Sequence, residues 1–513
     1  MTERLAVSAK GQIIAYCGEK ALHSRYDPQG EAKKYLDSLG LKGACFMLIE
    51  PGLGYLIPFI RESFPDAKIV ILHASVFLAE KQQELFPGEA VWHTGRDMSL
   101  SLFLEREIPD LSAASVKIIE WRPSLAAYGE TYVTLLREGA EFIKRIDANY
   151  RTARGFGRRW FRNFFRNIGR TAIIAEFDGK RPRSRRPWVI TGAGPGLEES
   201  AGEIRRLAGT EGAGVLAAAS SVPALIKRGI APDMVISTDG GNWALLHLYE
   251  TARGAGVLPG FSPVLATAVW AALPSQVADF PLLPLSDGSL WQELVLEGLG
   301  IPHLKLPQRG TVTASALDLA LALTAGEIIF TGMDLSQRDI RTHAKPYSFD
   351  RLQEEGAARL CPRYAQSFAR AGNITSSGSQ EIYAAWFRNQ LSSYPKRLRS
   401  LGKNHPVFSE LEENTLGKTE IPGNGGGREQ IPEQGFRDSL IFRKIRLPRE
   451  PEKNGAALLL GALENTGTGK EIYRELAPLL LQDPPPQDGG TEKEKREALG
   501  AEIVRLTRRY SGG

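Results

Sequence analysis

The sequence predicts an α/β protein built around a mainly parallel, Rossmann-like sheet in the middle of the chain. Between residues 186 and 349, short apolar runs rich in β-branched residues alternate with segments of helical length. Such alternation is typical of a parallel sheet that helices cover on both faces. Beside this sheet we expect a smaller N-terminal α/β domain, a helical connector and a helical C-terminal region.

The central sheet is predicted from five apolar runs with four helices between them. The predicted strands are residues 187–192, 214–219, 233–237, 263–268 and 327–332. The predicted helices are residues 222–228, 243–251, 290–299 and 312–324, and a further helix begins at residue 197 after a glycine turn. Ligands of such sheets gather at the carboxyl ends of the strands, so the loops at those ends are the candidate sites.

The rest of the chain is assigned by composition and periodicity. The β-then-α pattern of the N-terminal part begins at residues 44–50, and its His73 and its Gly52 and Gly54 turn indicate either a second pocket or packing alone. We predict an N-terminal domain at 1–125, a connector at 126–180, a catalytic domain at 181–400, and a partly flexible C-terminal region at 401–513.

Composition excludes several functional classes. The chain has 513 residues, 64 Lys and Arg, 59 Asp and Glu, seven His and three Cys, with a net charge of +5. The scattered Cys and His lack the spacing of a disulfide framework or a metal site. No apolar run is long enough to span a bilayer and no signal peptide is evident, so we expect a cytoplasmic protein. A basic stretch at residues 151–186 is better interpreted as a solvated helix face than as a nucleic-acid site.

The first candidate loop is the glycine turn, Gly192, Gly194, Pro195 and Gly196, which precedes a helix. Glycine lets the backbone approach a ligand closely, and the N–H groups at a helix start suit a phosphate. The alternative is a tight turn with no ligand. Glu198 and Glu199 follow in the first helical turn, where an inward-facing carboxylate would repel a phosphate.

The second and third loops carry side chains suited to a nucleotide. Asp239 follows a strand and could bind ribose, ligate a metal or act as a base, but it could equally belong to the cap region of the next helix. Thr311, Thr313 and Ser315 open an apolar helix, where their hydroxyls could hold a phosphate. Their alternative role is an ordinary threonine N-cap.

The fourth loop follows the strand at residues 327–332 and combines basic, aromatic and titratable groups. Asp334 opens it, and the cations that could neutralise a departing phosphate are Arg338, Arg341, Lys345 and Arg351. His343 could move a proton and Tyr347 lies four residues beyond it. A histidine in a basic loop can also be merely solvated.

Two protein groups resemble the chain at these residues. The spans VITGAGPGLEES and GTVTASALDLALALTAGEIIFTGMDLS, with the later YSFD, resemble bacterial sialyltransferases of lipooligosaccharide synthesis. The fuller resemblance, over about residues 20–400, is to motility-associated factor (Maf) glycosyltransferases. Their middle domain is shared with MptE-like 6-hydroxymethylpterin diphosphokinases (DUF115). The resemblance to the Maf glycosyltransferases is carried by LHSRYDP at residues 22–28, the Gly52 and Gly54 turn, Trp160, Asn163 and Asn167, and THA at residues 342–344.

The resemblance implies transfer of a nonulosonic acid, of the pseudaminic or legionaminic type, from its CMP-activated form to Ser or Thr of flagellin. It implies that the glycine turn, Asp334 and residues 311–315 hold the nucleotide, and that Tyr347 stabilises the phosphate. In a direct displacement, Tyr347, Arg341 and the N–H groups of residues 194–197 would stabilise the leaving CMP, while His343 or Asp239 takes the proton. No cofactor or metal is required. The expected partners are the CMP-sugar and flagellin or a flagellin–chaperone complex.

Two other functions stay open at this point. A pterin diphosphokinase would transfer phosphoryl groups from ATP and need Mg²⁺, for which Asp239 and Asp334 are the plausible ligands. A non-catalytic, flagellin-binding assembly factor could also keep the fold. The helical connector and the N-terminal domain favour the glycosyltransferase.

Overall fold

A computed structural model provides the coordinates of the chain. It describes residues 2–43, 45–108, 116–169, 173–177, 185–307, 309–335, 341–365, 368, 384, 387, 397–402, 404, 408, 440–444, 447–465, 467–481 and 491–508. By its contacts the chain divides into two compact units, Met1–Gly155 and Phe156–Gly513. We call them unit 1 and unit 2.

Unit 1 contains a small antiparallel sheet followed by a parallel α/β sheet. The first sheet has strands β1 (Glu3–Val7), β2 (Ile13–Cys17) and β3 (Lys20–Ala21). The second has strands β4 (Cys45–Ile49), β5 (Lys68–His73), β6 (Ala90–His93) and β7 (Val116–Glu120) in the order β6-β5-β4-β7. The helices are α1 (Pro28–Ser38), α2 (Ile57–Ser63), α3 (Val76–Leu85), α4 (Leu100–Glu107) and α5 (Arg122–Tyr128), followed by α6 (Glu130–Ile168), which continues into unit 2.

The sequence of unit 1 accounts for these elements. Every residue of β4 is buried, which is typical of a parallel strand covered on both faces. Asp27 and Ser75 accept hydrogen bonds from backbone N–H groups in the first turns of α1 and α3, and so set where these helices begin.

Unit 2 is built on one large sheet. Its strands are β8 (Ile173–Phe177), β9 (Trp188–Thr191), β10 (Gly214–Ala218), β11 (Met234–Ser237), β12 (Val264–Ala268), β13 (Leu282–Ser286), β14 (Leu304–Lys305), β15 (Ile328–Thr331), β16 (Leu398–Ser400) and β17 (Leu440–Lys444). Its helices after α6 are α7 (Gly196–Thr210), α8 (Val222–Lys227), α9 (Ala244–Ala255), α10 (Leu290–Gly298), α11 (Val312–Leu323), α12 (Asp350–Glu355), α13 (Pro451–Glu464), α14 (Thr468–Leu480) and α15 (Glu492–Thr507).

The order of the large sheet positions the candidate site. It runs β16-β15-β9-β10-β11-β12-β13-β8-β17, with β14 also paired to β13. The pairings are parallel except for β17 with β8, which is antiparallel. The chain moves from β9 in one direction to β13 and later returns to place β15 on the other side of β9. The carboxyl ends of β9 and β15 therefore flank the point where strand order reverses, which is where ligands of such sheets bind.

The predicted fold class is confirmed, and the five predicted central strands and four intervening helices are present. The structure adds strands that the sequence reasoning did not identify. Strand β13 contains Pro284, and β14 has only two residues, so neither has the continuous β-branched run typical of a strand. Strands β8 and β17 lie within segments that we expected to be helical.

The C-terminal helices belong to the core of unit 2. Buried side chains of α13, α14 and α15 pack in one apolar cluster with α10 and with Phe161, Phe164 and Phe165 of α6. The division after Gly155 falls within the continuous helix α6, and the described residues beyond 401 contribute β17 and α13 to α15 to unit 2. The domain boundaries at residues 125, 180 and 400 stay predictions. Among the described residues, no helix is both long enough and apolar enough to cross a membrane.

Candidate functional site

The glycine turn after β9 packs directly against the turn after β15. A Cβ atom at Gly192 would lie 2.4 Å from the carbonyl oxygen of Gly332, and one at Gly194 would lie 2.1 Å from Asp334 Oδ2. Asp334 is buried, and its two carboxylate oxygens lie 3.1 and 3.0 Å from the Gly196 backbone N–H that they accept. The glycines and Asp334 thus join the two strand ends that flank the reversal of strand order.

The same hydrogen bonds occupy the donors that we expected to meet a phosphate. The Gly194 N–H donates to the Gly332 carbonyl at 2.8 Å, and the Leu197 N–H donates to the Gly194 carbonyl at 3.1 Å. The carboxylate of Asp334 also takes the position at the start of α7 that an anion would favour. The packing alternative therefore accounts for the glycines, and their contact with a nucleotide stays a prediction, as does that of Pro195.

The loop at residues 341–349 lies over this turn, and we call it the covering loop. The Ala344 N–H donates to the Ala193 carbonyl, and the Lys345 N–H donates to Glu198 Oε1, both at 2.8 Å. Arg228, just after α8, donates to the Lys345 carbonyl at 2.7 Å. These bonds place a basic and aromatic loop at the carboxyl ends of β9 and β15.

Cationic groups of the site gather around Glu198. Its carboxylate lies 3.0 Å from Arg228 Nη2 and 3.5 Å from Arg341 Nη1. Lys345 forms an ion pair with Asp350 instead. Two guanidinium groups therefore share the Glu198 carboxylate, and each keeps further N–H donors that could bind an anionic ligand. Arg351 pairs with Glu355 on the exposed side of α12.

A continuous row of rings extends from His343 to the surface. The His343 and Tyr347 rings stack with centroids 3.9 Å apart, and His247 of α9 lies 5.6 Å from Tyr347. Phe349 lies 5.2 Å from His247 and 6.0 Å from Trp243. The Nδ1 atom of His247 lies 2.9 Å from the Ser348 hydroxyl, which fixes this histidine against the covering loop. We call His343, Tyr347, His247, Phe349 and Trp243 the aromatic row.

The titratable groups of the row have shifted pKa values. Burial, assisted by the nearby His247 and Lys345, lowers the pKa of His343 to about 4. Burial likewise lowers the pKa of His247 to about 4, against an opposing effect of Asp239. Burial and the Asp350 charge raise the pKa of Tyr347 to about 12. At neutral pH both imidazoles are therefore neutral and the phenol is protonated.

Asp239 lies in an exposed turn that α6 holds in place. Its Oδ1 accepts the Gly241 N–H at 2.7 Å, and its charge opposes the lowering of the His247 pKa by burial. The side-chain amide of Asn163 donates to the carbonyls of Gly240 and Trp270, at 3.0 and 3.2 Å.

Two other connector residues hold the neighbouring backbone. The Trp160 ring packs so closely on Gly240 that a Cβ there would lie 2.3 Å away. Asn167 donates to the Val269 and Ala271 carbonyls, at 3.0 and 2.8 Å. The connector thus positions the loops after β11 and β12.

The hydroxyls at the start of α11 serve the helix itself. Thr311 is the N-cap and accepts the Ala314 N–H at 3.0 Å, and its hydroxyl lies 3.1 Å from that of Thr313. Ser315 is buried and donates to the Thr311 carbonyl at 3.4 Å. The N-cap alternative is confirmed for Thr311, and nucleotide binding by these three residues stays a prediction.

Sequence reasoning did not assign His247, Arg228 and Glu198 their places in this site. His247 lies one turn inside a helix, where a histidine has no motif, although the chain has only seven histidines. Glu198 was expected to repel a phosphate, whereas it anchors Arg228, Arg341 and the Lys345 backbone. Arg338 of the fourth loop lies outside the described residues.

Comparisons with known proteins cover the same region. The family described as 6-hydroxymethylpterin diphosphokinase MptE-like matches residues 159–339, which include Gly194, Asp239 and Asp334. An uncharacterized protein of Treponema pallidum (strain Nichols) is 28% identical over 341 residues, which cover 66% of this chain and 72% of that relative. The solved structure of a Maf glycosyltransferase from Magnetospirillum magneticum AMB-1 has a TM-score of 0.50 at 12% identity and covers 99% of this chain and 87% of that one.

Proposed function

We infer that this chain, an MptE-like protein with the fold of a Maf glycosyltransferase, transfers a sugar from a nucleotide-activated donor to an acceptor hydroxyl. One observation carries the proposal. The covering loop is hydrogen-bonded to the glycine turn at the reversal of strand order, and it brings cationic and neutral acid–base groups to that edge. This combination suits the departure of a phosphate and the removal of a hydroxyl proton.

We further propose that the donor is a CMP-activated nonulosonic acid and that the acceptor is Ser or Thr of flagellin. Support comes from the resemblance of the chain to Maf glycosyltransferases and sialyltransferases. Arg228 and Arg341, which lie at Glu198 beside the glycine turn, are the cations that would pair with an anionic donor.

In the proposed reaction the acceptor oxygen attacks the anomeric carbon. A carbon–oxygen bond to the acceptor forms, the bond between the anomeric carbon and the CMP phosphate oxygen breaks, and CMP leaves with the electron pair. Arg341 and the Tyr347 hydroxyl would stabilise the charge that grows on the phosphate. The acceptor proton would pass to His343, which is neutral at physiological pH and lies within the covering loop. Asp239 is more exposed and lies in the segment between β11 and α9.

The first test is ligand binding. A native-state ligand at about 100 times its Kd stabilises a protein by about 2.7 kcal/mol, which for a chain of this size raises Tm by roughly 2–3 °C. We expect CMP and CMP-N-acetylneuraminate, used as a probe, to produce this rise without Mg²⁺. A rise with ATP that requires Mg²⁺ would instead favour the diphosphokinase that the matching family's description names. No rise with any nucleotide would leave the non-catalytic function.

The second test is the transfer rate. We expect His343→Ala to lower kcat by roughly 10²–10⁴-fold, the usual contribution of a general base, with little change in CMP affinity. His303→Ala is the matched control, because this histidine of unit 2 contacts Glu293 rather than the aromatic row. Full transfer activity in His343→Ala would contradict the proposed role.

A further inference from the structure

The surface end of the aromatic row is an exposed indole, and an exposed carboxylate lies four residues earlier in the chain. Trp243 precedes α9 and is 67% exposed, although it is among the largest apolar side chains in the chain. The centroid of its ring lies 6.0 Å from that of Phe349, with an angle of 49° between the two ring planes. The rest of the indole is open to solvent. Asp239 lies four residues earlier in the same turn and is also exposed.

An indole and a carboxylate in one turn suit a polyhydroxylated ligand. Aromatic rings provide a flat apolar surface for the C–H face of a sugar, and the indole is the largest such surface in proteins. A carboxylate accepts strong hydrogen bonds from hydroxyl groups. One Asp239 oxygen accepts the Gly241 N–H, and the two carboxylate oxygens together can accept several further hydrogen bonds.

The distribution of charge indicates which end of the donor lies here. The cations around Glu198 lie at the covering loop's start, whereas the Trp243 end holds the acidic Asp239 and the neutral His247. A phosphate or carboxylate at that end would be repelled. In a nonulosonic acid donor the carboxylate and the phosphate are both bonded to the anomeric carbon, so the far end of the sugar is uncharged.

We propose that Trp243 and Asp239 bind the hydroxyl-bearing end of the donor sugar that is farthest from its anomeric carbon. Trp243 stacks on the sugar and Asp239 accepts its hydroxyl protons, while the phosphate lies toward Arg341. Both residues then determine which sugar is accepted. This inference rests on the proposed function and names the part of the donor that each end of the aromatic row recognises.

The test compares two ligands that differ only by the sugar. Titration calorimetry with CMP and with CMP-N-acetylneuraminate is carried out on the full chain and on Trp243→Ala, Trp243→Phe and Asp239→Ala. Because an aromatic contact contributes about 0.5–1.5 kcal/mol, Trp243→Ala should weaken binding of the CMP-sugar by up to about tenfold. The affinity for CMP should stay within about twofold of that of the unmodified chain, because CMP lacks the sugar that Trp243 contacts. Trp243→Phe should recover most of the loss.

A matched control distinguishes stacking from a general surface effect. Tyr249 lies on the same helix and is 40% exposed, so Tyr249→Ala removes an aromatic ring without touching the row and should change neither affinity. Equal weakening of CMP and CMP-sugar by Trp243→Ala, or no change in either, overturns the inference while the proposed function stands. If the unmodified chain binds neither ligand, the proposed function itself fails and this inference with it.

Discussion

The two units each place a glycine turn at the carboxyl edge of a parallel sheet, but the residues that surround the two turns differ. In unit 1 the turn after β4 contains Gly52, whose φ is 62°, and a Cβ there would lie 2.5 Å from His23 Nε2. In unit 2 the turn after β9 packs against Gly332 and Asp334. In both units the glycines accommodate protein atoms.

The surroundings of the two turns differ more than the turns. In unit 1 the His23 Nε2 accepts the Leu53 N–H at 2.9 Å, and a Glu50 oxygen lies 2.9 Å from His73 Nδ1. His23, Glu50 and His73 are all buried. In unit 2 the half-buried covering loop lies above the turn. The comparison teaches that a glycine turn marks a strand end, and that the side chains over it determine whether a ligand can reach it.

The largest expected effect tests whether packing explains the unit 2 glycines. Gly194→Ala would place a Cβ 2.1 Å from Asp334 Oδ2 and 2.7 Å from the Gly332 carbonyl, so we expect it to lower the free energy of unfolding by about 2–4 kcal/mol, measured by urea denaturation. Gly202→Ala in α7 is the control. Its Cβ meets nothing within 4 Å, and we expect a gain of about 1 kcal/mol. If Gly194→Ala were as stable as the unmodified protein, packing would not explain this glycine.

An intermediate effect tests whether the unit 1 edge is structural. Glu50→Ala removes the acceptor of the Ala74 N–H and the partner of His73, and leaving these buried groups unpaired costs about 2–3 kcal/mol. Hydrogen exchange of β4 and β5 should report this loss, while the Tm rise on adding CMP should persist. Glu62→Ala, at an exposed position on α2, should leave exchange unchanged. Loss of the CMP response in Glu50→Ala would mean that the two edges are not separate in function.

The smallest effect is a pH dependence of unit 1. Burial lowers the pKa of His23 to about 3, so the unfolded chain binds a proton more readily than the folded one between about pH 6.5 and pH 3. The contribution of His23 to the free energy of unfolding is therefore fully present above pH 6.5. It decreases as the pH falls, by on the order of 1 kcal/mol between pH 7 and pH 5.5. His23→Gln retains an acceptor for the Leu53 N–H and should lose this part of the slope, as measured by hydrogen exchange of the Gly52 turn. An unchanged slope would show that His23 is not its source.

The fold was predictable where local pattern and burial agree. Strands β9 to β12 and β15 are mostly apolar, and the segments between them have helical periodicity, so a mainly parallel sheet could be predicted from their alternation. Strand β17 pairs with β8 through a contact distant in sequence, and no local pattern of either segment specifies its partner. The C-terminal helices were expected, but their apolar periodicity indicates only that one face of each is buried and does not identify α10 as a surface that they cover.

The sequence predicted which strand ends form the site, but not which of its residues bond to each other. Asp334, Asp239 and the glycine turn were found because polar or glycine residues follow apolar strands. The bond from Gly196 to Asp334 and the pairing of Glu198 with Arg228 and Arg341 depend on which strands are neighbours, so they emerge only with the sheet order. The sequence indicated which residues reach the edge, and the structure shows that Asp334 and Glu198 are used to hold it together.

The position of β8 has a consequence for biosynthesis. It lies between β13 and β17, so among the described residues its outer edge is covered by residues 440–444, more than 260 residues later in the chain. At roughly 5–20 residues per second, a ribosome needs on the order of 10–50 s to make the intervening segment. During that interval the nascent chain carries an uncovered strand edge, which is a surface for aggregation. Translation must therefore pass residue 444 before this edge is sealed, and a product terminated before that residue would retain the open edge.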